Sequence, residues 1–347
     1  MTTVVGWDLG GANLKLARIE NGRAVHVAQI PCPIRQDAGK FDVALEDALR
    51  LCPPQAGHAV TMTGELSDVF SDRAEGVAYL VDMMRTASGG EALFYGGRAG
   101  FLDCIRAVER SPDVASANWH ASATLIAQVF PDGLFVDVGT TTTDLIPLKE
   151  GAVAARGFTD GERLAESELV YTGVVRTPVM AVARTAPFRG RVQRIAAERF
   201  ATMADVWRLL GELPLDADPY PASDLKGKST QESAARLARM LGRDASDGGL
   251  LAFADLARHF AECQLAEIEA AALTLTAREE IEADAPVIGA GCGRFIARHL
   301  AQRLGRPYRD FGELIDCAPG MGAMAASCAP AVAVGLLAER ELLLFSA

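Results

Sequence analysis

Two short stretches of this sequence combine an acid, glycine and small polar residues at matching positions. The first, "GWDLGGANLKL", begins at Gly6, and the second, "FVDVGTTTTDL", begins at Phe135. A tight glycine turn exposes backbone N–H groups that can hold phosphate oxygens, and the acid before it can bind a metal ion that the phosphates share. The residues with this potential chemistry are Asp8, Gly10, Gly11, Asn13 and Lys15 in the first copy and Asp137, Gly139, Thr140, Thr141, Thr142 and Asp144 in the second.

The doubling predicts two turns that face each other across a cleft and grip one polyphosphate from both sides. Asp8 and Asp137 would then hold Mg²⁺, directly or through water. Either turn alone also fits an ordinary β-turn with a surface aspartate. Lys15 fits a phosphate ligand or, by strand alternation, a solvent-facing lysine.

A third glycine cluster occurs late in the chain, in "PVIGAGCGRFIARHL". Its residues Gly289, Gly291 and Gly293 lie between an apolar strand and a helical pattern, which suits close backbone approach to a nucleotide or another diphosphate. The cluster also resembles a dinucleotide-binding turn, but it lacks the last glycine spacing and no second βαβ half follows it. We therefore predict that these glycines bind a nucleotide or another diphosphate, and we do not expect a dinucleotide-binding domain.

The elements around these turns predict an α/β protein. Apolar strands with a hairpin at Asn21-Gly22 open the chain, and helical and strand patterns then alternate up to the second turn. Residues from about 160 to 280 are mostly helical, and a strand, a helix and an Ala-rich helix from Pro319 to Arg340 end the chain. We expect a first lobe over residues 1–130 plus a C-terminal helix at about 325–347, and a second lobe with a helical insertion over 131–324.

Length and composition limit the function classes. With 347 residues, 50% of them hydrophobic, the chain is long enough for two domains. A formal charge of −11 argues against a nucleic-acid surface. The seven cysteines include no CxxC pair, and the chain shows no signal-peptide pattern. Its apolar tail is interrupted by Glu339, Arg340 and Glu341. These features predict a soluble cytoplasmic protein without a membrane partner, and they are compatible with a homo-oligomer.

Several longer motifs carry a resemblance to a known family. They are "TGELSDVFSDRAEGVAYLV", "ASANWHASATLIA", "VDVGTTTTDLIPL", "GFTDGERLAESELVYTGVVRTPV" and "SAARLARMLGRD". Together they resemble the tetrahydromethanopterin-linked C1-transfer pathway proteins, whose archaeal members include a methanofuran-biosynthesis synthase. The turns resemble the hydantoinase/oxoprolinase branch of the sugar kinase, heat-shock chaperone and actin superfamily. This resemblance implies a two-lobed actin-like, ribonuclease H-like fold with duplicated β-hairpin phosphate turns.

The resemblance also implies a reaction. A transferase of this family would join an aminomethylfuran diphosphate to a tyramine- or tyrosine-type phenol, releasing diphosphate and forming an aryl ether. Diphosphate needs charge neutralisation, for which Lys15, the turn N–H groups and a Mg²⁺ ion held by Asp8 are candidates. A phenol with a reference pKa near 10 needs a base. Asp144 and Asp160 are the candidate bases, although Asp144 also fits a hairpin aspartate and Asp160 a helix N-cap.

The same resemblance suggests further positions. Arg163 and Arg176 are possible anion ligands, and Asn118 and Trp119 could line the cleft or pack in the core. The resemblance implies a glycine where Ser167 stands, so the local backbone there is in question.

Two other functions use the same turns. An ATP-dependent kinase or hydantoinase/oxoprolinase-like ATPase would bind ATP with Mg²⁺ and release phosphate. A nucleotide switch of the actin or chaperone kind would change shape with nucleotide and contact a protein partner.

Overall fold

The computed structural model describes residues 3–32, 34, 39–279 and 281–345 as a mixed α/β protein. Contacts divide the chain into two compact units. The first unit contains Met1–Gly133, Leu148–Arg163 and Arg309–Ala347, and the second unit contains Leu134–Pro147 and Leu164–Tyr308. The lobe boundaries expected from the sequence stay a prediction, and residues 1, 2, 346 and 347 of those lobes lie outside the described residues.

The strands are short and mostly buried. The first seven are β1 (Thr3–Leu9), β2 (Asn13–Glu20), β3 (Arg23–Pro31), β4 (Gly57–Met62), β5 (Ala92–Tyr95), β6 (Phe101–Leu102) and β7 (Gly133–Val138). The others are β8 (Thr143–Lys149), β9 (Ala152–Val153), β10 (Leu169–Val170), β11 (Thr185–Phe188), β12 (Arg191–Arg194), β13 (Val287–Ala290) and β14 (Tyr308–Asp310).

Helices fill the intervals between the strands. The first seven are α1 (Gly39–Leu49), α2 (Arg73–Ala87), α3 (Cys104–Glu109), α4 (Ser111–Val114), α5 (Asn118–Ala127), α6 (Asp160–Ala165) and α7 (Val179–Val182). The later ones are α8 (Met203–Leu209), α9 (Thr230–Met240), α10 (Gly249–Arg278), α11 (Arg294–Leu304), α12 (Phe311–Leu314), α13 (Gly322–Ser327) and α14 (Ala329–Phe345). Single 3₁₀ turns occur at Gly64–Leu66, Gly97–Ala99 and Ala245–Asp247.

The two large sheets repeat one strand order. The first runs β3-β2-β1-β4-β5-β6, and the second runs β10-β8-β7-β13-β14, with β9 pairing to β8. In each sheet the strand that carries an acidic turn, β1 or β7, has a parallel neighbour on one side, β4 or β13. The sequence repeat therefore extends from the turn to the sheet around it.

The first sheet buries both of its faces. Trp7 and Leu9 of β1 share a core cluster with residues of α1 and α2 such as Phe41 and Leu80. On β1 the opposite face is covered by α14, and Gly6 permits this contact because a Cβ there would lie 2.0 Å from the Ala331 carbonyl oxygen. The end of β1, with its acid, is thus held between helices.

The structure confirms the predicted hairpin at Asn21-Gly22 and corrects the last helix. Asn21 and Gly22 have φ values of 53° and 76°, as a two-residue hairpin turn requires, and Glu150 and Gly151, with 52° and 77°, form a second turn of this kind. The helix predicted over 319–340 is instead two helices, α13 and α14, with a break at Cys328. Pro330 accounts for the break, because it lacks an N–H group and its ring clashes with the carbonyl four residues earlier.

Ser167 adopts the left-handed conformation that glycine tolerates best. Its φ is 61°, just after α6 and before β10. The resemblance implied a glycine at this position, and the structure gives the physical reason: a side chain there strains the backbone.

Candidate functional site

The first acidic turn is closed by its own backbone. Gly10 N–H lies 3.1 Å from the carbonyl oxygens of both Asp8 and Asn13. A Cβ on Gly10 would come within 2.6 Å of the Asn13 oxygen, so this position requires glycine. The turn therefore holds the start of β2 close to the end of β1.

Asp8 and Lys15 are directly opposite each other across β1 and β2. Lys15 Nζ lies 3.3 Å from Asp8 Oδ2, and the Asp8 side chain is only 3% exposed. Burial raises the pKa of Asp8, and the Lys15 ammonium partly opposes this by its charge and hydrogen bond. The Lys15 side chain is 23% exposed, so it lies at the surface beside a buried acid.

Two oxygen atoms of this turn are left without a protein donor. Asp8 Oδ1 and Asn13 Oδ1 are buried, and neither has a hydrogen-bond partner among the residues that the structure describes. Hard cations such as Mg²⁺ prefer carboxylate and amide oxygens, and they use few protein ligands when phosphates complete the shell. Asp8 Oδ1 and Asn13 Oδ1 are oxygen ligands of the kinds that such an ion prefers.

The second acidic turn, in the second unit, closes in the same way. Gly139 N–H donates to the Thr142 carbonyl at 2.9 Å. The segment after β10 supports it, because Val174 N–H donates to Gly139 O at 3.1 Å and Arg176 N–H to Thr140 O at 2.8 Å. Gly173 makes this approach possible, since a Cβ there would lie 2.5 Å from Thr141 N.

The third glycine cluster packs onto this second turn. Gly291 has a φ of 84°, and a Cβ there would lie 2.2 Å from Val138 O and 2.4 Å from Asp137 Oδ1. Gly293 N–H donates to the same Val138 oxygen at 2.8 Å, and Gly289 lies against the hydroxyl of Tyr308. The structure thus brings Gly291 and Gly293 against the end of β7, at Asp137 and Val138, directly before the turn residues Gly139, Thr140, Thr141 and Thr142.

The two candidate bases lie in different units. Asp144 is half-buried in β8, opposite Leu169. It follows the second acidic turn at the same spacing in sequence as Lys15 follows the first. Asp160 forms an ion pair with Arg73 at 3.1 Å. The N-cap alternative for Asp160 is wrong: Asp160 is the first residue of α6, and Thr159 Oγ1 accepts from Glu162 N–H while Glu162 accepts from Thr159 N–H.

Of the secondary candidates, Trp119 and Arg163 come together in the first unit. Arg163 is 1% exposed, and its guanidinium carbon lies 4.0 Å from the centre of the Trp119 ring. His120 and Phe158 complete this aromatic group. Burial, together with the charges of Arg98 and Arg163, lowers the pKa of His120 to about 4, so its ring is neutral at pH 7. Asn118 is half-buried at the start of α5.

One buried acid was not identified from the sequence. Glu65, in the 3₁₀ turn after β4, is 1% exposed and accepts a hydrogen bond from Ser116 Oγ at 2.9 Å. The sequence contained one signal for it: an acid directly after a buried strand that is parallel to β1 lies at the sheet edge where ligands bind. Its partner Ser116 comes from a distant loop and carries no such signal.

The described part of the chain lacks two kinds of feature. Among its residues, no helix combines the length and the apolar character needed to cross a bilayer. The same residues contain no cluster of three or more His, Cys, Asp or Glu side chains placed to hold a metal ion.

Comparison with known proteins identifies relatives over most of the chain. Residues 56–328 match the hydantoinase/oxoprolinase family. Over 258 residues the chain is 33% identical to the (4-{4-[2-(gamma-L-glutamylamino)ethyl]phenoxymethyl}furan-2-yl)methanamine synthase of Methanocaldococcus jannaschii, which covers 73% of this chain and 76% of the relative. A synthase of the same name from Methanococcus vannielii is 32% identical over 111 residues, 32% of this chain and 50% of the relative.

A solved structure supports the fold. Nucleotide-free acetone carboxylase aligns with a TM-score of 0.59 at 10% identity, over 95% of this chain and 70% of that chain. At this identity the likeness concerns the fold alone. The predicted fold class, an α/β fold of the actin-like kind, is confirmed.

Proposed function

Because the chain belongs to the hydantoinase/oxoprolinase family and to the family of the Methanocaldococcus synthase, we propose that it is a biosynthetic synthase that forms an aryl ether. The relative's name describes a product in which a phenoxymethyl group joins a substituted phenol to a furan that carries an amine. The proposed substrates are therefore an aminomethylfuran diphosphate and a tyramine- or tyrosine-type phenol. We place the reaction in the cytoplasm, in methanofuran or methylofuran biosynthesis.

The proposed reaction is a displacement at the furan methylene carbon. The phenol oxygen forms the new carbon–oxygen bond, and the bond from that carbon to the diphosphate oxygen breaks with its electron pair leaving on diphosphate. The phenol proton is released to a base. Charge therefore accumulates on the leaving diphosphate, and the catalytic groups must stabilise it there.

The first acidic turn carries this proposal. Lys15 has a partly exposed side chain whose ammonium group lies beside the buried Asp8, next to a turn that glycine keeps tight. We assign the leaving diphosphate to Lys15 and to N–H groups of this turn other than that of Gly10, which closes the turn. Asp8 and Asn13 are the residues that would hold Mg²⁺, which when bound would neutralise further diphosphate charge. Asp137 as a second metal ligand and Asp144 or Asp160 as the base stay predictions.

The test is a diphosphate-release assay with an aminomethylfuran diphosphate and a panel of tyramine and tyrosine derivatives, with mass spectrometry to detect the ether. We expect ether formation without ATP. Asp8→Asn should lower kcat by on the order of 100-fold or more, because it weakens both the cation site and the pairing that positions Lys15. Asp82→Asn, at an exposed acid on α2, is the matched control and should leave the rate unchanged.

The same assay separates the rival function. No ether with any phenol, together with Mg²⁺-dependent ATP turnover or tight ATP binding, would reject the synthase in favour of a kinase or a hydantoinase/oxoprolinase-like ATPase.

A further inference from the structure

The segment that leads to Glu65 lies against the first acidic turn. The segment that carries it follows β4, and Thr63 N–H donates to the Leu9 carbonyl at 3.0 Å. A Cβ on Gly11 would lie 4.0 Å from Gly64 Cα. Glu65 therefore follows, by two residues, the residue whose N–H group bonds to the end of β1, the strand that carries Asp8. All of these residues belong to the first unit.

The surroundings of Glu65 hold it inside the protein. Ser116 Oγ donates to Oε1, whereas Oε2 is buried without a hydrogen-bond partner among the described residues. On the other side, α2 packs against its backbone, and a Cβ on Gly76 would come within 2.7 Å of Glu65 Cα. Ser116 itself has a φ of 54°, a strained conformation that places its hydroxyl group at the acid.

The electrostatic environment gives this acid an unusual proton affinity. Burial raises the pKa of Glu65 to about 7, the Ser116 hydrogen bond opposes the rise, and of the nearby charges Asp160 raises the pKa and Arg73 lowers it. At neutral pH the carboxyl group therefore exists in both protonated and ionised forms, as an efficient acid–base group does.

A structural role does not explain these features. A buried carboxyl oxygen without a partner is costly, and a neutral side chain of similar size would avoid that cost. The hydroxyl oxygens of Thr61 and Ser67, on the same strand end and turn, are also buried without a hydrogen-bond partner in the described part of the chain. Clustered unpartnered polar atoms of this kind indicate a site that receives a polar ligand or water.

We propose that Glu65 is the proton acceptor for the phenolic substrate, an assignment that rests on the proposed synthase function. As the phenol oxygen bonds to the furan methylene carbon and diphosphate leaves with its electron pair, the phenol proton moves to Glu65 Oε2, directly or through one water. Ser116 positions the carboxylate through Oε1. Asp160, which forms an ion pair with Arg73, acts on Glu65 by its charge.

The first test measures the proton affinity itself and needs no activity. In protein labelled with ¹³C at the glutamate carboxyl carbons, one resonance should titrate near pH 7 and be missing in Glu65→Gln. Absence of any glutamate resonance that titrates between about pH 6 and 8 would overturn the inference.

The second test uses the ether-forming reaction. The kcat/KM of the wild type should fall below about pH 7, because a base must be ionised to accept a proton. Glu65→Gln should lower kcat by on the order of 100-fold or more with little change in KM, and it should remove this dependence. Glu109→Gln, an exposed glutamate at the end of α3, is the matched control and should behave as wild type.

Two substitutions near Glu65 should move the fall of kcat/KM at low pH, the acidic limb of the pH profile, in opposite directions. Ser116→Ala removes a hydrogen bond to the carboxylate and should shift the limb to higher pH. Asp160→Asn removes a negative charge and should shift it to lower pH; if Asp160 were itself the base, this variant would lose the limb altogether.

The failures can be told apart. Ether formation by Glu65→Gln with wild-type kcat and pH dependence would overturn this inference and leave the synthase intact. If the wild type forms no ether, the proposed function fails and the phenol assignment fails with it, whatever the carboxyl titration shows.

Discussion

At the residue scale, the first unit contains two buried acids in different situations. Asp8 has a cation, Lys15, at 3.3 Å. Glu65 accepts a hydrogen bond from the Ser116 hydroxyl group at one oxygen, and its other oxygen has no hydrogen-bond partner among the described residues. Desolvation raises the pKa of both. The difference in partners suits different tasks: a paired acid can hold a cation, and a poorly stabilised carboxylate can accept a proton.

Glu65→Gln should make the protein more stable at alkaline pH. The pKa of Glu65 rises from an ordinary 4.5 to about 7 on folding. Its protonated form therefore stabilises the fold below pH 4.5, and this stabilisation is lost as the pH rises through about 7. The difference in the free energy of unfolding, variant minus wild type, should therefore be larger at pH 8 than at pH 4 by on the order of 3 kcal/mol.

Urea unfolding of both proteins across this pH range measures the effect. The wild type also contains His120, whose lowered pKa makes stability fall as the pH falls from 6.5 through about 4, but this contribution cancels between wild type and variant. Glu109→Gln should show a pH-independent difference. A constant difference for Glu65→Gln as well would mean that this acid is not protonated near neutrality.

At the element scale, two glycines determine how α14 packs on the first sheet. A Cβ on Gly6 would lie 2.0 Å from Ala331 O and 2.6 Å from Gly335 N, and these are backbone atoms that cannot rotate away. The helix therefore lies on the face of β1 that also carries Asp8. Close packing of an Ala-rich helix thus helps to bury the acid.

Gly6→Ala should destabilise the protein by about 3 kcal/mol or more, since the added methyl group forces α14 off the sheet. Thermal or urea unfolding provides the measurement. Gly57→Ala on the neighbouring β4 is the control: its Cβ would have its nearest atoms at 3.9 Å, an ordinary contact distance, so stability should change little. Equal stability of both variants would contradict the packing described for α14.

Ser167→Gly should stabilise the turn between α6 and β10. At a φ of 61°, a side chain costs about 1 kcal/mol that glycine does not incur, partly offset by the greater entropy of glycine in the unfolded chain. We expect a gain of a few tenths of a kcal/mol up to about 1 kcal/mol in the free energy of unfolding. Ser167→Ala keeps the backbone strain and should show no gain in stability. A gain in this variant would mean that the serine hydroxyl group, and not the backbone conformation, is destabilising.

At the whole-molecule scale, the first unit is assembled from three separate segments. Residues 309–347 come from the far end of the chain, and α14 within them packs against β1, β2, β4 and α5. The second unit is likewise formed from two segments, 134–147 and 164–308. One face of the first sheet is therefore covered only when α14, near the end of the chain, packs on it.

A chain that ends at Tyr308 should lose the protection of the first sheet. Without α14, buried residues such as Val4 and Ala59 lose part of their cover, so the amides of β1, β2 and β4 should exchange hydrogen much faster than in the full chain. Supplying residues 309–347 as a separate segment in the same cells is the control and should restore protection. Unchanged exchange in β1 would contradict the assembly of the first unit.

Sequence determined the features that arise locally. The two acidic turns, the Asn21-Gly22 hairpin and the alternation of strands and helices before the second turn follow from residue type and short-range spacing, because turn geometry and side-chain periodicity depend on neighbouring residues. The stretch from about 160 to 280, predicted as mostly helical, also contains the strands β10, β11 and β12. The resemblance of long motifs to a family is confirmed by relatives over most of the chain. One local error, the single final helix, came from overlooking Pro330 within an Ala-rich pattern.

Only the tertiary structure decided which distant groups meet. Ser116 reaches Glu65, and Gly291 lies against Asp137, because separate segments pack together. The raised pKa of Glu65 also depends on burial by helix α2 and a distant loop, and sequence spacing carries no information about desolvation. Local patterns thus predicted where phosphate could bind, and long-range packing identified the acid that we propose receives the proton.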